Sequence, residues 1–445
     1  MTFAPALTWM HLFPASAPYQ CVTGPAWFHD LLRPLAGAGR PGVRIEFDQD
    51  LRQWAGPGES EDGLVAINCK GPGLSRLAAA GFNYVRGFAA IPNIQAARWF
   101  IPLDSGPVSS AAFRLYSPTR MSARLKQSAI AAVARTGIPL WYRDHIWIAQ
   151  RQKPPLEQML AEALNGSPLR LALSAGAPEP ARNRKASAAV LGLDGTLLAF
   201  AKISGSPLAR RLLEHEASFL SLLARNAGLR DCVPRLIASG NVQDRYVLVQ
   251  SPVMGAAAPP RLTPEHHVFL NGMESSGVKP ATATALVGNL APRIAAAGDA
   301  AADLGPALRR VMMSLGGCAA PSTCVHGDFA PWNLRRHKHL LCSFDWEYGE
   351  MDGLPLVDET HHELQVGYLL KDWAVDQADQ RLDELAAGHA RFARGHAAAF
   401  QNIYLIDVLT RMADEGYDST NPMVHWMKRL LEQRVGRAPI LEAAA

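Results

Sequence analysis

Short apolar runs broken by turn residues dominate the stretch from 167 to 204. PLRLALSAG predicts a strand, APEPARN a loop of breakers, RKASAAVLGL a second strand and TLLAFAKIS a third, with Asp194-Gly195 as the hairpin turn between the last two. Three consecutive antiparallel strands follow from that order. The period then changes: LARRLLEHEASFLSLLARNAG places Leu212, Leu213, Phe219, Leu220, Leu222 and Leu223 on one helical face and predicts a helix closed by Gly228. RYVLVQSPVMG predicts one more strand. Beyond Gly255 the pattern is mainly helical, interrupted by CVHGDFAPWNL at Cys324–Leu334 and by LLCSFDWE shortly after it.

The first 165 residues mix short apolar runs with turns. YVRGFAAIPN and RWFIPLDS read as strands joined by a tight loop, Met121 to Arg135 as a helix, and PLWYRDHIWIAQRQ as a further strand. Composition shifts near Gly166. With no internal repeat, the expected organisation is an N-terminal α/β domain over 1–165, a sheet-rich segment over 166–255 and a helical segment over 256–445. A chain of 445 residues with 48% hydrophobic content is long enough for two or three packed domains.

Composition removes several function classes. No apolar run reaches membrane-spanning length, and the N-terminus lacks the basic head and cleavage pattern of a secretory signal, so the expected location is cytoplasmic. The six cysteines form no CxxC pair, which predicts reduced, mostly buried thiols rather than zinc ligands or disulfides. Arginine greatly outnumbers lysine, 35 to 9, and alanine is abundant, a bias of high-GC bacterial genomes. The net charge of +4 divides into −9 from Asp345 onward and +13 before it. The arginines form no single run and no nucleic-acid module is present, so nucleic acid is not an expected partner.

Candidate chemistry centres on five positions. Lys202 sits in the apolar run LLAFAKI, where an ammonium needs an anionic partner. The following helix offers Glu214 and Glu216, and Glu216, next to ASFL, is the preferred partner. His326, Asp328 and Asn333 have the H-x-D-x-x-x-x-N spacing of a phosphoryl-transfer catalytic loop, in which the aspartate orients the attacking hydroxyl and the asparagine holds a metal. Asp345 follows in FDWE, at the place of a second metal ligand. Moving a γ-phosphoryl group requires in-line positioning and neutralised charge, so one carboxylate for the acceptor and a carboxylate with an amide for Mg²⁺ form a sufficient set. His326 is expected to brace the loop.

VHGDFAPWNL followed by LLCSFDWEYGEMDGLPLVDE resembles the aminoglycoside phosphotransferase and choline kinase branch of the protein-kinase-like fold, through His326, Gly327, Asp328, Asn333, Asp345, Trp346, Glu347, Gly353, Pro355 and Asp358. The resemblance runs from about Leu169 to the C-terminus. It implies an α+β, two-lobed fold with an antiparallel N-lobe, a helical C-lobe and ATP or GTP with Mg²⁺ between them. The hinge would lie at Gln250–Gly255, where Gln250, Ser251 and Val253 would meet the purine. Two features depart from the family pattern. No GxGxxG precedes Lys202; Gly176 is the flexible residue of that turn, and Arg182, Asn183 or Lys185 would supplement its phosphate grip. Asp358 is followed by ETHHELQ instead of an apolar helix, and His361 and His362 are expected on the helix surface. Arg86, Arg98, Arg114 and Arg120 read as surface and interdomain arginines, with an anionic substrate or partner as the alternative. The function implied is a small-molecule kinase acting on a hydroxyl of a sugar, amino alcohol or aminoglycoside-like acceptor. The alternatives are a pseudokinase or nucleotide-binding scaffold, or a regulatory domain in a bacterial cell-envelope polysaccharide pathway.

Overall fold

The computed structural model describes residues 19–21, 43–48, 50, 62–70, 73–115, 121–175, 182–389 and 391–437. They fall into two compact units: one takes the described residues of 1–179, 184–213 and 236–252, the other those of 180–183, 214–235 and 253–445. The fold is mixed α+β. Among the described residues no helix is long and apolar enough to cross a membrane.

The first unit contains β1 (Tyr19–Cys21), β2 (Val43–Phe47), β3 (Gly63–Ile67), α1 (Gly73–Ala79), β4 (Tyr84–Ile91), β5 (Trp99–Pro102), α2 (Gly106–Ala112), α3 (Met121–Arg135), β6 (Asp144–Gln150), α4 (Pro155–Ala163), β7 (Leu169–Ser174), β8 (Lys185–Gly192) and β9 (Leu197–Ser204). After α5 (Pro207–Leu223) come β10 (Leu236–Val242) and β11 (Arg245–Gln250). Among the described residues eleven strands form one sheet, in the order β1-β2-β3-β6-β4-β5-β7-β8-β9-β11-β10. β1, β2 and β3 pair in parallel, and every later pairing is antiparallel. Side chains alternate across the pleat: Leu171, Leu173, Ala188 and Val190 join one apolar cluster with Phe88, Phe100 and Ile146, while Ala172, Ala189 and Leu191 face the other with Val108 and Ala111 of α2. Burial on both faces explains why these strands read as apolar runs.

The three strands expected between 167 and 204 are present and antiparallel, and α3 has the expected bounds. Two expectations need correction. Helix α5 ends at Leu223, short of Gly228, because the Asn226 side chain accepts from the Gly228 N–H at 2.9 Å and takes the chain into a turn. Leu222 is exposed, so it leaves the apolar face that Leu213, Phe219, Leu220 and Leu223 form. Strand β10 had no sequence signal: LIASGNV is an edge strand without an apolar run. Arg86 does not reach outward for an anion, since its guanidinium grips the largely buried Glu157 of α4 at 2.8 and 3.1 Å. Arg120 and Gly176 lie outside the described residues.

The second unit contains β12 (Ala256–Ala257), α6 (Pro264–Asn271), β13 (Glu274–Pro280), α7 (Ala285–Ala297), α8 (Leu304–Leu315), β14 (Ala319–Val325), β15 (Leu334–His337), β16 (Leu340–Ser343), β17 (Glu350–Gly353), α9 (Val357–Lys371), α10 (Val375–Gly388), α11 (Arg394–Asp414) and α12 (Pro422–Arg437). Helix α11 is its axis. It packs against α7, α8, α9, α10 and α12, and Phe400, Tyr404 and Leu405 meet Leu290, Leu315, Leu382 and Met427 in one core. Two small antiparallel sheets, β12-β15-β16 and β13-β14-β17, carry the loops of the candidate site.

Candidate functional site

Strand β14 delivers the chain to His326, and a turn at Pro331–Asn333 hands it to the β15–β16 hairpin, which returns at Phe344. The loop is fastened by backbone contacts from several directions. Asp358, in the first turn of α9, accepts the N–H groups of His326 at 2.8 Å and Gly327 at 2.9 Å. Arg411 of α11 donates to the Gly327 carbonyl at 2.7 Å. Gly327 has φ +78°, and a Cβ there would lie 2.4 Å from the Tyr348 carbonyl oxygen, so only glycine fits. Burial holds the Asp358 carboxyl above the usual carboxylate range even with these donors and His326 nearby.

Hydrogen bonding sets the tautomer of His326. Its Nδ1 accepts from the Asp328 N–H at 3.2 Å, so the proton is on Nε2, which donates to the Phe344 carbonyl at 3.1 Å. The ring is fully buried and stacks obliquely on Trp346, 4.3 Å between centroids. Burial pushes its pKa down, which keeps it neutral. Both ring nitrogens are thus occupied by backbone groups, an arrangement that ties the loop to the strand before Asp345.

Asp328 presents its carboxylate at the surface of this unit, with the side chain 28% exposed. Asn333 Nδ2 donates to its Oδ2 at 2.7 Å and to its carbonyl at 3.0 Å. His361 Nε2 lies 2.8 Å from Oδ1. Tyr404 of α11 stands 3.1 Å from His361 Nδ1, within hydrogen-bond reach, and burial raises its phenol pKa, so it keeps its proton. A carboxylate has about four lone-pair sites, so these two contacts leave capacity for an incoming hydroxyl.

His361 and His362 were expected on the surface, and both are buried. α9 puts Val357 and Leu364 into the apolar core and buries its histidines among other groups: His361 meets Asp328 and Tyr404, and His362 lies edge-on to His266, 5.3 Å between centroids. His361 is therefore a site residue that the sequence reading missed, and its one signal was its place one turn after Asp358.

Glu216, Asp345 and Glu347 offer carboxylate oxygens that all lie within 4.8 Å of one another. Asp345 has φ +73°, a left-handed conformation that aspartate tolerates, and the Trp346 N–H that follows donates to Glu216 Oε1 at 3.2 Å. Phe219 stacks on Trp346 and locks the same helix to the same turn. Oxygen donors of this kind suit Mg²⁺ rather than a softer ion. Asn333 fits the same chemistry: with Nδ2 committed to Asp328, its amide oxygen is the atom left for a cation. Glu347 was not among the expected ligands; its spacing two residues after Asp345 was the available signal.

The structure thus brings His326, Asp328 and Asn333 together, and Asp345 with Glu216. Lys202 lies on β9, opposite Ser187 of β8 and Leu248 of β11, and Gln250 ends β11 opposite Phe200, with Ser251 next to it. These three belong to the sheet unit, and Val253 belongs to the helical one.

No family model and no curated protein matches the chain. Among solved structures it is similar to a thermostable mutant of aminoglycoside phosphotransferase APH(4)-Ia in ternary complex with ADP and hygromycin B, at 13% identity and TM-score 0.42, over 63% of this chain and 98% of that one. It is similar to a putative fructosamine-3-kinase from Haemophilus somnus at 15% identity and TM-score 0.41, over 63% and 96%. It is also similar to the GDP complex of aminoglycoside 2'-phosphotransferase-IIIa, at 13% identity and TM-score 0.39, over 63% and 97%. Likeness at this level bears on neither substrate nor reaction, and the chemistry of the site follows from its own side chains.

Proposed function

We propose that the protein transfers the γ-phosphoryl group of ATP or GTP to a hydroxyl of a small molecule, with Asp328 as the group that orients the hydroxyl and takes its proton. The observation that carries this reading is the setting of Asp328: an accessible carboxylate held on one oxygen by Asn333 and faced on the other by His361. A positioned carboxylate with spare lone pairs suits a hydroxyl whose oxygen attacks phosphorus while the nucleoside diphosphate leaves. Asn333 and Asp345 would hold Mg²⁺, with Glu216 and Glu347 beside Asp345. Bound there, the ion would neutralise charge on the phosphates. Lys202 and Glu216 keep the phosphate-binding roles that the family resemblance implies, and Gln250, Ser251 and Val253 the purine.

The test is nucleotide consumption by the full chain with Mg²⁺ across a panel of sugars, amino alcohols and aminoglycosides. Acceptor-dependent release of ADP or GDP is expected, and Asp345→Asn should remove Mg²⁺-dependent nucleotide binding in calorimetry while leaving the fold intact. Unchanged affinity in that variant would sink the metal assignment. Nucleotide binding without turnover on any acceptor would favour the pseudokinase alternative.

A further inference from the structure

The sheet unit holds a cavity of about 580 Å³ that the chemistry above does not use. Its walls are α2, one face of α3 and the tip of the β8–β9 hairpin, all within that unit. The volume is in the usual range for a small-molecule pocket, about 300–1,000 Å³. Its walls are fastened to one another. At the hairpin tip Gly195 has φ +84°, and a Cβ there would lie 2.7 Å from the Pro107 carbonyl oxygen, so the turn sits directly on the start of α2. On the opposite side Gln127 of α3 donates to the Phe113 carbonyl at 2.8 Å, which fixes the turn that carries Arg114.

The charged groups in this space are two arginines and one aspartate. Arg114 and Arg135 both line it, and among the described residues neither guanidinium is in an ion pair. The one carboxylate in the lining, Asp194, is taken up within its own turn, accepting from Thr196 N–H at 2.9 Å and from Thr196 Oγ1 at 2.7 Å. Ser110 and Ser128 add hydroxyls that can donate or accept. With the Asp194 oxygens engaged by Thr196, the two arginines are the charged donors left for a ligand, and their forked N–H groups match the oxygens of a phosphate.

We propose that this cavity binds a small organic phosphate of sugar size, with the phosphate on Arg114 and Arg135 and the polyol against Ser110 and Ser128. None of its lining residues is among those assigned to phosphoryl transfer, so its occupant is a ligand in its own right.

The experiment uses the full chain with glucose 6-phosphate as probe, and glucose and inorganic phosphate for comparison, by titration calorimetry. Glucose 6-phosphate is expected to bind more tightly than either comparison compound. Arg114→Ala and Arg135→Ala should each weaken it at least tenfold, and Ser128→Trp, which fills the cavity from an exposed helix position, should abolish it. Asp345→Asn should leave it unchanged. The proposal is overturned if glucose 6-phosphate does not bind, if it binds no better than glucose, if either arginine variant or Ser128→Trp binds it like the parent, or if Asp345→Asn removes binding.

Discussion

Helices α5 and α9 bury comparable lengths of chain by opposite means. α5 turns Leu213, Phe219, Leu220 and Leu223 inward, and only Glu216 breaks the rule, fully buried because its carboxylate serves the turn at Trp346. α9 buries Asp358, Glu359, Thr360, His361, His362 and Glu363 in succession. Apolar burial is stabilising wherever it occurs, about 25 cal/mol per Å², whereas a buried polar group costs free energy unless a specific partner meets it. Such partners exist for part of α9: the N–H groups of His326 and Gly327 for Asp358, Tyr404 for His361, and Arg381 for Glu363, whereas among the described residues both ring nitrogens of His362 are buried without a hydrogen-bond partner. α5 is held by its own pattern, and α9 is held by the site it supports.

Four substitutions sharpen that contrast, from the largest effect to the smallest. Asp328→Asn keeps size and part of the hydrogen bonding but cannot take a proton. With a working acceptor it should slow phosphoryl transfer by about two to four orders of magnitude at nearly unchanged nucleotide affinity. Single-turnover rates at saturating nucleotide check this, and a variant within threefold of the parent would make Asp328 purely structural. Leu220→Ala, on the apolar face of α5, should cost about 2–5 kcal/mol in urea unfolding with no specific effect on turnover.

Asp358→Asn tests the opposite kind of burial. One amide oxygen replaces two carboxylate oxygens, so one of the two N–H groups loses its acceptor, at about 1–3 kcal/mol. Turnover should fall as well, because the loop that carries Asp328 loosens. If stability drops and the rate per folded molecule does not, α9 is scaffolding only.

The smallest effect is in pH dependence. Burial raises the Glu359 carboxyl to about 7. The native state then holds a proton that the unfolded chain releases near pH 4, so this group makes stability fall as pH rises from about 4 to about 7. Glu359→Gln should remove that slope. The buried imidazoles act with the opposite sign: burial lowers His266 to about 4 and, with His266 and His361 adding repulsion, His362 to about 3. Their contribution is complete above about pH 6.5 and is lost as acid protonates the unfolded chain first. Urea midpoints across pH 4 to 8 separate the two. A parallel displacement of the Glu359→Gln curve, with no change of slope, would remove the glutamate from this account.

Local order was legible from the chain. The strands from 169 to 204, the hairpin at Asp194-Gly195 and the bounds of α3 follow from period and turn chemistry, because those signals act between residues close in sequence. The spacing of His326, Asp328, Asn333 and Asp345 was legible for the same reason, and three of those four are joined directly in the loop. The burial of His361 and His362 was not. A polar helix reads as exposed unless its partners are known, and those partners come from α6, α11 and the loop after β14.

The sequence by itself determined the strands from 169 to 204, helix α3 and which side chains are available for chemistry. Tertiary structure alone decided that β5 pairs with β7, so that strands on either side of residue 166 share one sheet, and that Glu347 and Glu216 stand beside Asp345. The physical reason is the range of the forces. Propensity and periodicity are written over a few residues, whereas pairing of sheet edges and the meeting of Glu216 with Asp345 and Glu347 depend on which surfaces bury each other when the whole chain packs.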